Sequence, residues 1–253
     1  MPHHWVLGIL YIYRVKYYVI FILLSLAAIS CKPREQSKVV HEKNRPIAGA
    51  TALDSQFIQA GLMRVQEVIP EVIVDLKYST TDNFLHHDVY GDLTQAYLQP
   101  DVTQMLKKAY EALQQKDSSL TFIIYDATRP LHIQYKMWEI LDMPLEEKGK
   151  YLSNPKNGSI HNYGAAVDIS LARKSDSVAL DMGTPFDFFG PEAEPVQEQV
   201  MMKSGKLSAA QYQNRLLLRN AMQAAGFRQL PTEWWHYNAC SREEAKVRYN
   251  VIE

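Results

Sequence analysis

The spacing of apolar residues divides the chain into segments of different period. Val102 to Gln115 repeats at helical spacing and predicts an amphipathic helix. Pro130 to Leu141 predicts another, with proline suited to the first helical position. Thr121 to Tyr125 reads as a strand. Ala166 to Leu171 alternates, placing Val167, Ile169 and Leu171 on one face and Asp168 and Ser170 on the other, so a second strand is expected there. After a loop-rich stretch to Glu198, Ser208 caps a long helix that reaches Ala225 and stops at Gly226. Phe227 to Leu230 and Trp234 to Asn238 are expected to return to the sheet, and Val68 to Tyr78 to form a strand or strand pair interrupted near Pro70. There are no internal repeats, and this order predicts an α+β domain.

Composition narrows the class. The chain has 253 residues, 47% hydrophobic and 22% charged, as expected for one globular enzyme domain with a substantial core. Its 27 basic and 28 acidic residues nearly cancel, and no basic stripe with interleaved aromatics marks a nucleic-acid surface. Oligomeric state has no signature in the sequence.

The N-terminus carries location. Arg14 and Lys16 precede the apolar run Tyr17 to Ile29, small residues lead to Ser30 and Cys31, and no acidic residue precedes Glu35. This resembles a bacterial lipoprotein signal with Cys31 as the lipidated first mature residue. The run is shorter than the roughly 20 residues that span a bilayer. The rival, an uncleaved anchor from Trp5 to Ile29, puts Arg14 and Lys16 near mid-membrane at about 2.5–3.5 kcal/mol each. The expected organisation is a signal over 1–30, lipidated Cys31 and a polar tether over 31–60, and a folded domain over 61–253. It would make this an exported lipoprotein of the cell envelope, held to a membrane by its N-terminal lipid. Only Cys31 and Cys240 are present, so lipidation leaves no disulfide; Cys240 is expected to be a small buried residue.

Candidate chemistry lies in Ser159-Ile160-His161-Asn162-Tyr163-Gly164-Ala165-Ala166-Val167-Asp168 and in Glu233-Trp234-Trp235-His236. Two imidazoles and a carboxylate leave one position open on zinc, and a second carboxylate stands three residues before the last ligand. That is the inventory of a zinc hydrolase, without the helical His-Glu-x-x-His motif. Gly164 lets the chain turn after His161 into the strand that carries Asp168. Glu233 and His236 face opposite sides of an extended strand, so they converge only if the chain bends, and Pro231-Thr232 fits a turn just upstream.

The Ser-x-His-x-x-Gly-x-Ala-x-Asp pattern followed by Glu-x-Trp-His resembles the zinc D-alanyl-D-alanine metallopeptidases, and within them the D-Ala-D-Ala dipeptidases of the vancomycin-resistance (VanX) type. The likeness runs from about Val74 to Tyr237. It includes Val74-Asp75-Leu76-Lys77-Tyr78, Asp82-Asn83-Phe84, Tyr125-Asp126-Ala127-Thr128-Arg129-Pro130 and Met182-Gly183-Thr184-Pro185-Phe186-Asp187-Phe188. The last block is similar to the dipeptidases rather than to the carboxypeptidases of the wider superfamily. The resemblance implies an antiparallel sheet flanked by helices, with zinc on the open sheet face (the D-Ala-D-Ala metallopeptidase, or Hedgehog-like, fold).

It also implies roles. His161, Asp168 and His236 would be the zinc ligands, with one Zn2+ per chain, and Glu233 the general base acting on a water whose pKa falls to about 7. Arg129 would stabilise the negative charge of the tetrahedral intermediate; without the resemblance, a surface arginine paired with Asp126 or another acid is the simpler expectation. Asp187 matches the acid that pairs the ammonium of a free dipeptide, while Tyr78 and Ser159 match residues that hydrogen-bond the ligand. On the residues alone, Tyr78 packs on the sheet and Ser159 orders the loop before His161. His86, His87 and His132 are expected outside the site, Met201 and Met202 to fill core or loop, and Trp234 and Trp235 to support it by packing. The implied activity is hydrolysis of the D,D-dipeptide to D-alanine. Export points to salvage during cell-wall turnover, because resistance requires destroying the dipeptide in the cytoplasm. The alternatives are a zinc D,D- or L,D-carboxypeptidase or endopeptidase on peptidoglycan stems, and a non-catalytic zinc-containing wall-binding module.

Overall fold

The structure, a computed structural model, describes residues 49–253. The expected signal segment, Cys31 and the tether as far as residue 48 lie outside the described residues. Among those described, no helix is long and apolar enough to cross a membrane.

The first element is helix α1, Ala52–Gln59, inside the stretch expected to be tether. Thr51 and Asp54 form a capping box at its start, Asp54 also accepts from the Tyr97 hydroxyl at 2.8 Å, and Phe57 is buried. The folded domain therefore begins near Thr51, ahead of the expected boundary at 61.

The chain continues through β1 (Met63–Arg64), β2 (Ile73–Val74), β3 (Tyr97–Leu98), α2 (Pro100–Lys116), β4 (Leu120–Asp126), α3 (Leu131–Ile140) and α4 (Leu145–Lys148). It ends with β5 (Ala166–Arg173), α5 (Glu198–Lys203), α6 (Ala209–Ala224), β6 (Arg228–Gln229), β7 (His236–Asn238) and α7 (Arg242–Arg248). β1 and β3 pair separately, and the main sheet has the order β2-β4-β5-β7-β6. It is antiparallel except at one edge, where β2 runs parallel to β4. A parallel neighbour needs a crossover, and α2 lies in the connection between them.

Most predicted elements fall where the periodicity put them. Ser208 caps α6 through a capping box, and Gly226 follows its end with φ +95°. Pro130 precedes α3 as its cap instead of serving as its first residue. The expected strand Val68 to Tyr78 shrinks to β2, flanked by 3-10 turns at Val65–Glu67 and Lys77–Ser79.

The sheet's two faces have different tasks. Phe122 and Ile124 of β4 lie opposite Leu171 and Ile169 of β5, and the Tyr110 ring of α2 packs on Phe122 at 5.8 Å, so α2 covers this face. Burying each such side chain contributes about 1.5–3 kcal/mol. Asp168 points the other way. A register shift between Ile124 and Asp126 brings Asp126 opposite Asp168, and His236 lies opposite Asp168 on its other side. Three polar residues are thus aligned across β4, β5 and β7.

Candidate active site

Local sequence fixes the first arm of the site. Ser159 caps the 3-10 turn Ile160–Tyr163, with Asn162 completing the capping box. Gly164 ends the turn at φ +65°, and an added Cβ there would lie 3.0 Å from both Leu62 and Thr128. A side chain is excluded by backbone conformation and by space, so glycine sets the direction in which the chain enters β5. The His161 Nδ1–H donates to the Ala127 carbonyl at 2.6 Å, which leaves Nε2 bare. In the second arm the chain turns through Pro231 to Trp235 and enters β7 at His236, whose Nε2 meets Asn238 Oδ1 at 2.9 Å. That bond leaves His236 Nδ1 bare.

These atoms converge. His161 Nε2 and His236 Nδ1 are 3.2 Å apart, and Asp168 Oδ1 lies 3.5 Å from the first and 2.9 Å from the second. Three lone-pair donors at this spacing repel one another unless positive charge sits among them. Burial disfavours a charged His236, yet the Asp168 carboxylate outweighs it and raises the imidazole to about 9. Burial likewise opposes an ionised Asp168, but the two imidazoles hold it far below the usual carboxylate range. The pocket attracts a proton or, better, a divalent ion, and one carboxylate with two imidazoles fits a metal that keeps an open position.

Glu233 stands three residues before His236 on the bend and lines the same cavity. Burial, reinforced by Asp168 and opposed by the imidazoles and Arg129, raises its carboxyl above the ordinary value. Arg129 lines the cavity as well. It is paired with Asp126, as the simpler expectation had it, but it is buried: Nε and Nη2 donate to Asp126 Oδ2 at 3.1 and 2.5 Å, and Nη1 donates to Gln134 at 3.1 Å. Burial works against its charge, and Asp126 more than compensates, so the guanidinium is a permanent cation. Its centre lies 5.1 Å from the Tyr78 ring.

Asp187 closes the other side. The Tyr78 hydroxyl donates to its carboxylate at 3.0 Å, and burial followed by the Asp168 charge pushes its carboxyl well above the usual range. Its backbone is left-handed, φ +59°, which costs most residues on the order of 1 kcal/mol and is tolerated by aspartate better than by bulkier side chains. Ser159 does both things expected of it: it orders the turn and faces the cavity. The enclosed volume is about 130 Å3, well below the ~300 Å3 at which pockets for drug-sized molecules begin.

Every expected site residue inside the described region therefore meets in one cleft. His86 and His87 are exposed in a loop, His132 faces outward from α3, and Cys240 is a buried free thiol, all outside the ligand set. Three residues were not foreseen in a site role, and Asp126 was foreseen only as the partner of a surface arginine. Asn238 orients His236; Asp126, whose hydrogen bond from Tyr90 measures 2.7 Å, anchors Arg129; Asn162 donates to the Arg129 carbonyl at 2.8 Å. Ile252 fastens the assembly, its N–H donating to the Asn162 carbonyl at 2.8 Å and its carbonyl accepting from Leu131 N–H at 2.7 Å. Asn238 had a faint signal, a polar residue two positions beyond a ligand on the same strand face.

Comparison with known proteins agrees with this geometry. Residues 58–251 match the family model described as D-ala-D-ala dipeptidase. The D-alanyl-D-alanine dipeptidase of Escherichia coli is 30% identical over 176 residues, covering 70% of this chain and 83% of its own length. The proteins of that name from Enterococcus faecium and Streptomyces coelicolor are 26% and 27% identical, covering 71% and 68% of this chain and 92% and 88% of theirs.

Proposed function

The chain belongs to the D-Ala-D-Ala dipeptidase family, and on that premise we propose that it is a zinc dipeptidase of the cell envelope that releases D-alanine from D-alanyl-D-alanine. The observation that carries this reading is the convergence, in one cavity of about 130 Å3, of a three-donor metal set with a carboxylate base, a buried guanidinium and a second buried acid. An acid placed to pair a free ammonium, Asp187, favours a free dipeptide over a peptidoglycan stem.

His161 Nε2, Asp168 and His236 Nδ1 are the groups that hold the metal. Zinc bound there supplies a Lewis acid that polarises the scissile carbonyl and acidifies the attacking water. Glu233 takes the proton from that water and passes it to the leaving amine, a task its raised pKa suits. Arg129, already held by Asp126 and Gln134, meets the charge that develops on the carbonyl oxygen without having to reorganise. Asp187 receives the substrate ammonium, whose charge compensates a buried carboxylate that the Tyr78 hydroxyl alone does not neutralise. Ser159 and Tyr78 supply hydroxyls to the ligand.

The lipoprotein-like N-terminus supports export and tethering through Cys31. On the outer side of a membrane the substrate is dipeptide freed by wall turnover, and the role is salvage or trimming.

The test is D-alanine release from D-Ala-D-Ala and from a pentapeptide ending in D-Ala-D-Ala, using zinc-loaded full chain beside Glu233→Ala. Cleavage of the dipeptide alone, lost in the variant, supports the reading. Cleavage of the pentapeptide moves the protein to the carboxypeptidases, and peptidoglycan binding without hydrolysis makes it a wall-binding module.

A further inference from the structure

The segment that carries Asp187 is held by side chains and not by a backbone ladder. From Asp181 to Phe189 it makes no backbone–backbone hydrogen bond among the described residues, it contains no strand, and Asp187 itself sits in the left-handed region. Phe186 packs on Tyr78, Tyr125 and Trp235, and the backbone on either side is held from α6. Arg215, 1% exposed, donates from Nε to the Met182 carbonyl at 2.7 Å and from Nη2 to the Glu192 carbonyl at 2.9 Å, one on either side of Asp187. A buried guanidinium is costly, and here Glu198, 3.5 Å away and shared with Arg219, offsets the charge. The planar fork presents donors in a fixed geometry that holds two carbonyls ten positions apart.

The same guanidinium packs on the residue next to the base. Its centre lies 5.8 Å from the Trp234 ring, adjacent in sequence to Glu233, and Trp234 Nε1–H donates to Thr184 Oγ1 at 2.8 Å. Close packing adds to the clamp: a Cβ on Gly183 would stand 2.5 Å from Leu207, and Asn214 donates to the Asp181 carbonyl at 2.9 Å. Arg215 is thus joined both to the segment bearing the acid expected to pair the ammonium and to the neighbour of the base.

We propose that Arg215 is a positioning residue for substrate selection, setting the Asp187 carboxylate relative to Glu233 so that a free ammonium and the scissile carbonyl are engaged together. The inference rests on the dipeptidase reading above and goes beyond it, since Arg215 lines no part of the cleft.

Arg215→Lys keeps a cation near Glu198 and gives up the two-carbonyl fork. The test compares kcat/KM for D-Ala-D-Ala with that for propionyl-D-alanine, which has the same shape without the ammonium. The expected result is a ratio lowered by about 10- to 100-fold, mostly through KM for the dipeptide, with zinc content unchanged. A loss shared equally by both substrates, or an unchanged ratio in a folded variant, overturns the proposal. If Arg215→Lys does not fold, Thr184→Val carries the test, because it removes only the hydroxyl that ties Trp234 to the segment, and an unchanged ratio there overturns the clamp. Asp187→Asn separates the two layers. A ratio unaffected by it refutes the ammonium assignment, whereas a ratio collapsed by it and unmoved by Arg215→Lys refutes Arg215 alone.

Discussion

Replacing Asn238 by leucine tests whether the metal set is oriented by the residues around it. The substitution keeps the branched shape of the side chain and removes the acceptor on His236 Nε2, at 2.9 Å. With that bond gone, the proton is free to move to Nδ1, the nitrogen that faces Asp168 at 2.9 Å and His161 at 3.2 Å. A neutral hydrogen bond contributes about 1 kcal/mol net. Loss of such a partner behind a ligand typically weakens metal affinity by roughly 10- to 100-fold, or about 1.4–2.8 kcal/mol. The expectation is a zinc Kd raised by that factor in a competition titration against a chromogenic chelator at pH 7, with the metal-free melting temperature moved little. Asp168→Asn in the same titration should lose far more. An unchanged Kd for Asn238→Leu would show that pairing of β5 with β7 orients the imidazole unaided and would refute the assignment.

Glu233→Gln should lower turnover by roughly 100- to 10,000-fold while zinc content, read by atomic emission, stays the same. Because burial raises the Glu233 carboxyl and the base must be unprotonated, the acid limb of kcat/KM should lie above the ordinary glutamate value of about 4.3, activity falling as pH drops through it; a limb at the ordinary value contradicts the assignment. Arg129→Lys should cost about 100- to 1000-fold in kcat with a smaller change in KM, since a point charge cannot keep the fork on Asp126 and face the cleft as well. Gly183→Ala should destabilise the fold by about 1–3 kcal/mol, seen as a lowered melting temperature, because φ is +87° and the added Cβ meets Leu207 at 2.5 Å.

The parts of this molecule that were legible beforehand are those set by neighbours in sequence. Alternation in Ala166 to Leu171 placed Asp168 on the polar face, and the glycine after His161 predicted a turn that the structure shows at Gly164. The need for a bend between Glu233 and His236 was likewise readable from strand geometry. Val68 to Tyr78 misled because its apolar residues serve turns and loops: Ile69 and Val72 are buried outside any strand, Tyr78 is buried from a 3-10 turn, and only Ile73–Val74 joins the sheet. The helix at Ala52–Gln59 hid in a region judged by the polarity of what precedes it, although Thr51 and Asp54 spell a cap. Arg215 was invisible for a different reason. In sequence it is one of two arginines on a helix, and only the tertiary fold turns it inward onto carbonyls 33 and 23 positions away.

The fastening of the active site by Ile252 bears on the order in which the protein comes into being. His161, Asp168 and His236 are gathered from a span of seventy-five residues, and the turn bearing the first of them is stitched to α3 by a residue later than all three. A local piece such as α2 can form while synthesis continues, since its contacts are close in sequence. The hydrolytic centre cannot. A chain still emerging from the ribosome has an unfinished ligand set, so catalytic competence arrives only after residue 236, and its last tightening waits for residue 252. Synthesis itself acts as a timer that keeps the growing polypeptide inert.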